Sequence, residues 1–226
     1  MKILFEDESV VVCIKPVGVL SQGEGNDSLV TLLSKHTGTE IFPIHRLDRG
    51  VGGVMIYAKT KAAAASLSRQ AAERKLLKEY FALVHGTTEG ESGRLEDFLF
   101  KDSKKNKVFV VKRERKGVKK AVCEYETLLK KTENGELFSL VKVKLQTGRT
   151  HQIRVQFSSR GCPLFGDRRY GARDDEREIA LFSCKIGFTH PKTGENMSFF
   201  SDETECLILK SAIESFKESV KGQNKS

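Results

Sequence analysis

The 226-residue sequence has no apolar run long enough to cross a bilayer. Its opening, Met1-Lys2-Ile3-Leu4-Phe5-Glu6-Asp7-Glu8, is acidic where a secretory leader would be basic. The expectation is a protein without a membrane segment, located in the cytoplasm. The five cysteines, Cys13, Cys123, Cys162, Cys184 and Cys206, are odd in number, widely scattered and without a Cys-x-x-Cys pair. That argues against a disulfide framework and a zinc site, and predicts small buried apolar side chains. Internal repeats, low-complexity blocks and linker-like shifts of composition are also missing. The chain therefore reads as one domain over residues 1–226, long enough to bury a substantial core.

Charge is what the sequence has in excess, and it is localised. Net charge is +9, yet residues 101–120 alone hold ten Lys/Arg against two acids, and residues 146–173 hold six Arg against one. The rest of the chain is slightly acidic. Two basic segments on an otherwise acidic chain are the footprint expected for a polyanion, although a lysine run can also be no more than a solvated surface.

Periodicity predicts an α+β fold with a mixed, largely antiparallel sheet flanked by helices and loops. Two short apolar stretches, Ile3-Leu4-Phe5 and Val10-Val11-Val12-Cys13-Ile14, read as paired strands, the second ended by Lys15-Pro16-Val17-Gly18. Asp27-Ser28 is expected to cap a helix from Leu29 to about His36, stopping at Gly38. An alanine-rich helix is expected from Lys61 to about Leu76, followed by a strand from Lys78 to Gly86 and a loop. Val108–Val111 reads as an edge hairpin or exposed insertion within the basic segment. Strands 121–130 and 137–145 are expected to turn at Asn134-Gly135. Thr147-Gly148-Arg149-Thr150 is read as capping a helix from His151 to about Arg160, and strands near 179–188 and 196–200 follow. A helix from about Glu203 to Val220 and a lysine-containing tail end the chain.

Three stretches carry candidate chemistry. In His45-Arg46-Leu47-Asp48-Arg49-Gly50-Val51-Gly52-Gly53, three glycines precede a buried strand, so the loop turns sharply. Asp48 lies there between the cations Arg46 and Arg49. Flanking positive charge favours an ionised carboxylate, which suits a nucleophile, but an ion pair that only ties the loop down remains open. In Lys78-Glu79-Tyr80-Phe81-Ala82-Leu83-Val84-His85-Gly86, Tyr80 and Lys78 share a face; the tyrosine could stack on a base, pass a proton or simply fill the core. In Thr147-Gly148-Arg149-Thr150-His151-Gln152-Ile153-Arg154 a strand end runs into a helix N-terminus. Backbone amides and Arg149 are available there to an anion, and Arg154 lies one turn beyond His151.

Together these stretches resemble the RluA family of pseudouridine synthases. So do Gly166-Asp167-Arg168-Arg169-Tyr170-Gly171, the opening through Lys15-Pro16-Val17-Gly18, and Phe188-Thr189-His190-Pro191-Lys192-Thr193-Gly194-Glu195. The resemblance covers about residues 2–200 with no S4-type RNA-binding module ahead of it, so the chain resembles a bare catalytic domain. It implies isomerisation of uridine to pseudouridine in ribosomal or transfer RNA, with the target base flipped out of its stack. Asp48 matches the family's nucleophile, Tyr80 its base-stacking and proton-moving tyrosine, and Arg154 the cation that pairs with the aspartate. Arg46 matches a residue that fills the space vacated by the flipped base. No metal, nucleotide or redox cofactor is implied, since no outside group is transferred. Arg49, Lys78, Arg149, His151, Arg168, Arg169 and the hairpin lysines Lys104, Lys105 and Lys107 are the expected contacts to structured RNA. A monomer is the default expectation.

Two departures stand out. The family usually has a polar residue and then Thr-Ser-Gly where this chain has Gly50-Val51-Gly52-Gly53, so Asp48 is expected to be less firmly fixed. Phe182 stands where a histidine is common. An RNA-binding protein that keeps the fold without catalysis is the rival reading. A two-carboxylate glycosidase is not supported, because no second acid lies in the matching segments.

Overall fold

The computed structural model describes residues 1–23, 25–133 and 135–223. In chain order the elements are β1 (Lys2–Glu6), β2 (Val10–Lys15), α1 (Leu29–Thr37), β3 (Phe42–Pro43), β4 (Gly52–Ala58), α2 (Lys61–Ala72), β5 (Leu77–His85) and β6 (Ser92–Asp102). They continue with β7 (Lys107–Val111), β8 (Val118–Glu133), β9 (Glu136–Leu145), α3 (Gln152–Ser158), β10 (Leu181–Thr189), β11 (Asn196–Phe200) and α4 (Leu207–Gln223). Contacts divide the chain into two compact units. One comprises residues 1–79 and 182–205; the other comprises residues 80–181 and the chain from Cys206 onward.

In the first unit the strand order is β1-β2-β4-β10, with β3 against β4 and β11 against β10. All pairs are antiparallel except β4 with β10, which run parallel through Phe182–Gly52 and Ser183–Gly53. Every residue of β4 is buried, as its unbroken apolar run requires. Val10, Val12, Val54, Ile56 and Ile186 pack with Ala63, Leu67 and Leu76 into one core. The helix α2 stops at Ala72, short of the expected Leu76. Arg74 takes a left-handed conformation (φ 60°), and the Lys75 amide donates back to the Gln70 carbonyl at 2.9 Å, closing the last turn. Ser28 occupies the N-cap of α1 without a side-chain bond, and Asp27 pairs with Arg49 at 3.2 Å.

In the second unit the order is β5-β9-β8-β6-β7. The strand β6 was not expected: Gly93 and the acids Glu96, Asp97 and Asp102 weaken its intrinsic preference. Pairing with β8 from Ser92–Glu126 to Phe100–Val118 overrides that weakness, and a side chain at Gly93 would collide with the Tyr125 ring. Both faces of β9 are buried at Val141 and Leu140, while Leu137 at its start is exposed. The expected turn at Asn134-Gly135 lies partly outside the described residues; Gly135 has φ 80°. The helix α4 begins at Leu207 rather than near Glu203, because Glu203 pairs with Lys2 at 2.5 Å and Glu205 accepts from the Val17 amide at 3.2 Å. Residues 221–223 of the expected tail continue α4, and residues 224–226 lie outside the described residues. All five cysteines are buried, as expected. Among the described residues no helix is long and apolar enough to cross a membrane.

Candidate active site

The Asp48 loop is stitched to the segment that follows β2. The Ser21 hydroxyl donates to the Leu47 carbonyl at 2.9 Å and accepts from the Leu47 amide at 3.3 Å. The Gly18 amide donates to the Arg49 carbonyl at 2.9 Å, and Arg49 Nε returns a bond to the Gly18 carbonyl at 2.8 Å. The Val51 amide closes a turn onto the Asp48 carbonyl at 3.0 Å. Leu47 is buried and Asp48 half-buried. Asp48 is therefore carried on backbone fixed at the residues on either side of it.

Beneath this loop lies Lys15, 0% exposed. Its Nζ donates to the carbonyls of Pro16 (2.9 Å), Val19 (2.7 Å) and Arg49 (3.3 Å). Burial pushes the ammonium down to about 8, opposed by the attraction of Asp48 and then Glu205. Sequence reasoning used Lys15 only as a strand end. The signal was one charged residue closing an otherwise apolar strand ahead of a proline.

The two flanking arginines differ in use. Arg49 ties the loop through Gly18 and Asp27 while remaining exposed, and Arg46 is exposed as well. His45 is held neutral, its imidazolium pushed down to about 3 by burial and by the positive charge of Lys78; its Nε2 accepts from the Ile56 amide at 3.3 Å.

The two departures from the family pattern meet in the sheet. Gly52 and Phe182 are register partners, and a Cβ on Gly52 would lie 3.7 Å from the Phe182 ring and 3.2 Å from the Lys15 carbonyl. A side chain at Gly52 would thus touch the Phe182 ring at ordinary contact distance and press more closely on the Lys15 carbonyl. Gly53, at φ 128°, runs so close to the Ser183 backbone that no side chain fits there. The missing hydroxyls do not leave the loop untied: Ser21, Gly18 and Lys15 supply its bonds.

In the second unit Tyr80 is 5% exposed on β5, flanked by buried Phe81, Ala82, Leu83 and Val84. Arg154, on α3, makes a two-pronged pair with Asp167: Nε to Oδ2 at 2.6 Å and Nη2 to Oδ1 at 2.8 Å. Asp167 is 1% exposed, and the Arg154 guanidinium stands 5.1 Å from the Tyr170 ring centre. Such a pair fixes the guanidinium plane. Asp167 was missed as an orienting residue, although it is the one acid among residues 146–173.

The expected anion seat at the start of α3 is built differently. His151 is left-handed (φ 52°), and the helix begins only at Gln152. The Gln152 side-chain carbonyl accepts from the Arg149 amide at 3.0 Å and from the Thr147 hydroxyl at 2.8 Å. Arg149 Nε donates to the Lys120 carbonyl at 3.0 Å. Two donors assigned to a phosphate are thus used inside the protein. His151 Nδ1 lies 2.8 Å from the Tyr170 hydroxyl, which also accepts from the Val108 amide at 2.9 Å. Arg169 is tied to the Asn106 carbonyl at 2.7 Å, while Arg168 is exposed. Asp102 holds the hairpin turn by accepting from the amides of Lys104 and Lys105, both at 3.0 Å, leaving their side chains in solvent.

The family model for RNA pseudouridylate synthase matches residues 9–159. An uncharacterised RNA pseudouridine synthase of Aquifex aeolicus is 38% identical, over 91% of this chain and 70% of that protein. The ribosomal large subunit pseudouridine synthase C of Buchnera aphidicola is 34% identical, over 87% of this chain and 65% of that one. The structure of human RNA pseudouridylate synthase domain containing 1 shares the fold, with a TM-score of 0.77 at 24% identity, over 93% of this chain and 86% of that one. The fold is that of a pseudouridine synthase, an RNA-modifying isomerase. Within that class, the chain belongs to the RNA pseudouridine synthase family with the RluA-type ribosomal enzymes.

Proposed function

We propose that this chain converts specific uridines of structured RNA, ribosomal or transfer, into pseudouridine, with Asp48 as nucleophile. The observation that carries the reading is the Asp48 loop: a half-buried carboxylate on backbone tied at Leu47, Arg49 and Val51 above the buried ammonium of Lys15. A catalytic group gains most when it is held in one geometry before substrate arrives. Asp48 attacks the flipped uridine, the N-glycosidic bond breaks, the uracil turns while still bound, and it rejoins the ribose through carbon. Every atom of the uridine is retained, so no cofactor takes part. Tyr80 and Arg154 act in the roles the family implies, stacking on the base with proton transfer and pairing with the reacting carboxylate; Asp167 keeps Arg154 in position. Arg46, Lys78, Arg168 and the hairpin lysines contact the RNA. The protein works in the cytoplasm as a monomer.

The test is pseudouridine mapping across cellular RNA after removal of the protein, then restoration with wild type or Asp48→Asn. One or a few sites should vanish on removal and return only with wild type. In vitro, Asp48→Asn should lower turnover about 10⁴-fold or more, as loss of a nucleophile does elsewhere. A map unchanged by removal would favour RNA binding without catalysis.

A further inference from the structure

Cations and rings alternate in space from Arg154 out along the β6–β7 hairpin. The Arg154 guanidinium stands 5.1 Å from the Tyr170 ring centre, and Lys107 Nζ stands 5.5 Å from the same ring. Lys107 also lies 5.8 Å from the ring of Phe109. Phe109 is the register partner of Phe100, which puts the two rings side by side on one face of the hairpin. Arg115 then covers Phe100 at 5.4 Å. Strand alternation sends the neighbouring Leu99 and Val108 to the opposite face, into the core with Val155 and Tyr170. Phe98 and Val118 extend the Phe100–Phe109 face, since Phe98 and Phe100 are two residues apart on β6 and Val118 pairs with Phe100.

Phe109 is 37% exposed, on an edge strand, in a segment with ten basic residues and two acidic ones. A large ring left in water beside cations is what unpaired nucleic acid recognises: bases stack on rings, and phosphates meet the intervening charges. A fully paired helix offers no free base faces to such a surface.

We propose that the Lys107–Phe109–Phe100–Arg115 track binds an unpaired strand of the RNA substrate, with bases stacked on Phe109 and Phe100 and phosphates held by Lys107 and Arg115. The track rests on the RNA-modifying function proposed above, and defines its substrate as RNA with single-stranded nucleotides next to the target uridine.

The test uses full-length protein and two labelled RNA probes of equal length, a stem with an unpaired pyrimidine-rich loop and a blunt duplex. Phe109→Ala should weaken loop binding about tenfold, with duplex binding and the salt slope unchanged, and Phe109→Trp should restore it. Arg115→Gln should reduce the salt slope by about one. Melting temperature reports folding of each variant. Equal affinity of wild type and Phe109→Ala for the looped probe overturns the track, as does an equal loss on both probes. Pseudouridine formation by wild type separates the two failures: modification that proceeds normally while Phe109→Ala is silent rejects the track alone. Absence of both binding and modification in wild type rejects the function and the track with it.

Discussion

The Asp48 loop and the hairpin of β6 and β7 both gather cations, but they dispose of them in opposite ways. Around Asp48 the cations are tied to the protein: buried Lys15 gives its ammonium to three backbone carbonyls, and Arg49, though exposed, is divided between Gly18 and Asp27. On the hairpin the charges turn outward, with Lys104 and Lys105 in solvent and Lys107 and Arg115 poised over rings. A buried ammonium that lacks partners costs several kcal/mol, so a cation under the loop has to be bonded. An exposed one bears no such penalty and stays available to a ligand. A count of basic residues cannot tell these two uses apart.

Arg154 belongs with the tied group, and its partner offers the strongest way to break the comparison. Asp167→Ala removes the two-pronged partner of a guanidinium at 5% exposure and is expected to cost about 3–5 kcal/mol, seen as a lower denaturant midpoint. The hairpin substitutions Phe109→Ala and Arg115→Gln should leave that midpoint nearly unmoved. A small effect at Asp167 would place Arg154 among the outward cations instead.

Lys15 sharpens the contrast through pH. Its folded-state ammonium titrates at about 8 against an ordinary value of 10.5, so between those limits the unfolded chain binds more protons. Stability contributed by this group is therefore lowest and constant below pH 8, and rises as pH is raised from 8 to 10.5. The difference in unfolding free energy between wild type and Lys15→Met should grow over that window, by on the order of 3 kcal/mol at most. A flat difference would mean that Lys15 is solvated rather than buried. Turnover of Lys15→Met should fall as well, because three carbonyls of the loop region lose their donor.

The smallest expected effect concerns the register partners Gly52 and Phe182. Gly52→Ser alone should destabilise by about 1–3 kcal/mol, through a Cβ pressed on the Lys15 carbonyl and a hydroxyl added beside the Phe182 ring. Combined with Phe182→His, most of that loss should be recovered in a double-mutant cycle. Additive losses would show that the two departures from the family pattern arose separately.

Much of this was legible before any coordinates. Asp48 on a glycine-bounded loop, the buried run of β4, the Lys78–Gly86 strand and the two basic segments are local patterns, written in spacing and composition. The departures at Gly50-Val51-Gly52-Gly53 were legible too, but not their consequence, because Ser21 and Lys15 supply the ties from more than twenty residues away in the chain. The strand β6 was missed because its preference is weak and its partner strand decides its fate.

The sequence by itself determined which residue types carry the chemistry and which segments alternate, since strand and turn patterns depend on near neighbours. The tertiary structure decided which charges are spent and which are kept. It put Asp167 against Arg154, three carbonyls around Lys15, and Phe109 beside Phe100 with a cation at each end. The reason is physical: burial sets the cost of leaving a charge without a partner, and burial is a property of the whole packed chain rather than of any stretch of it.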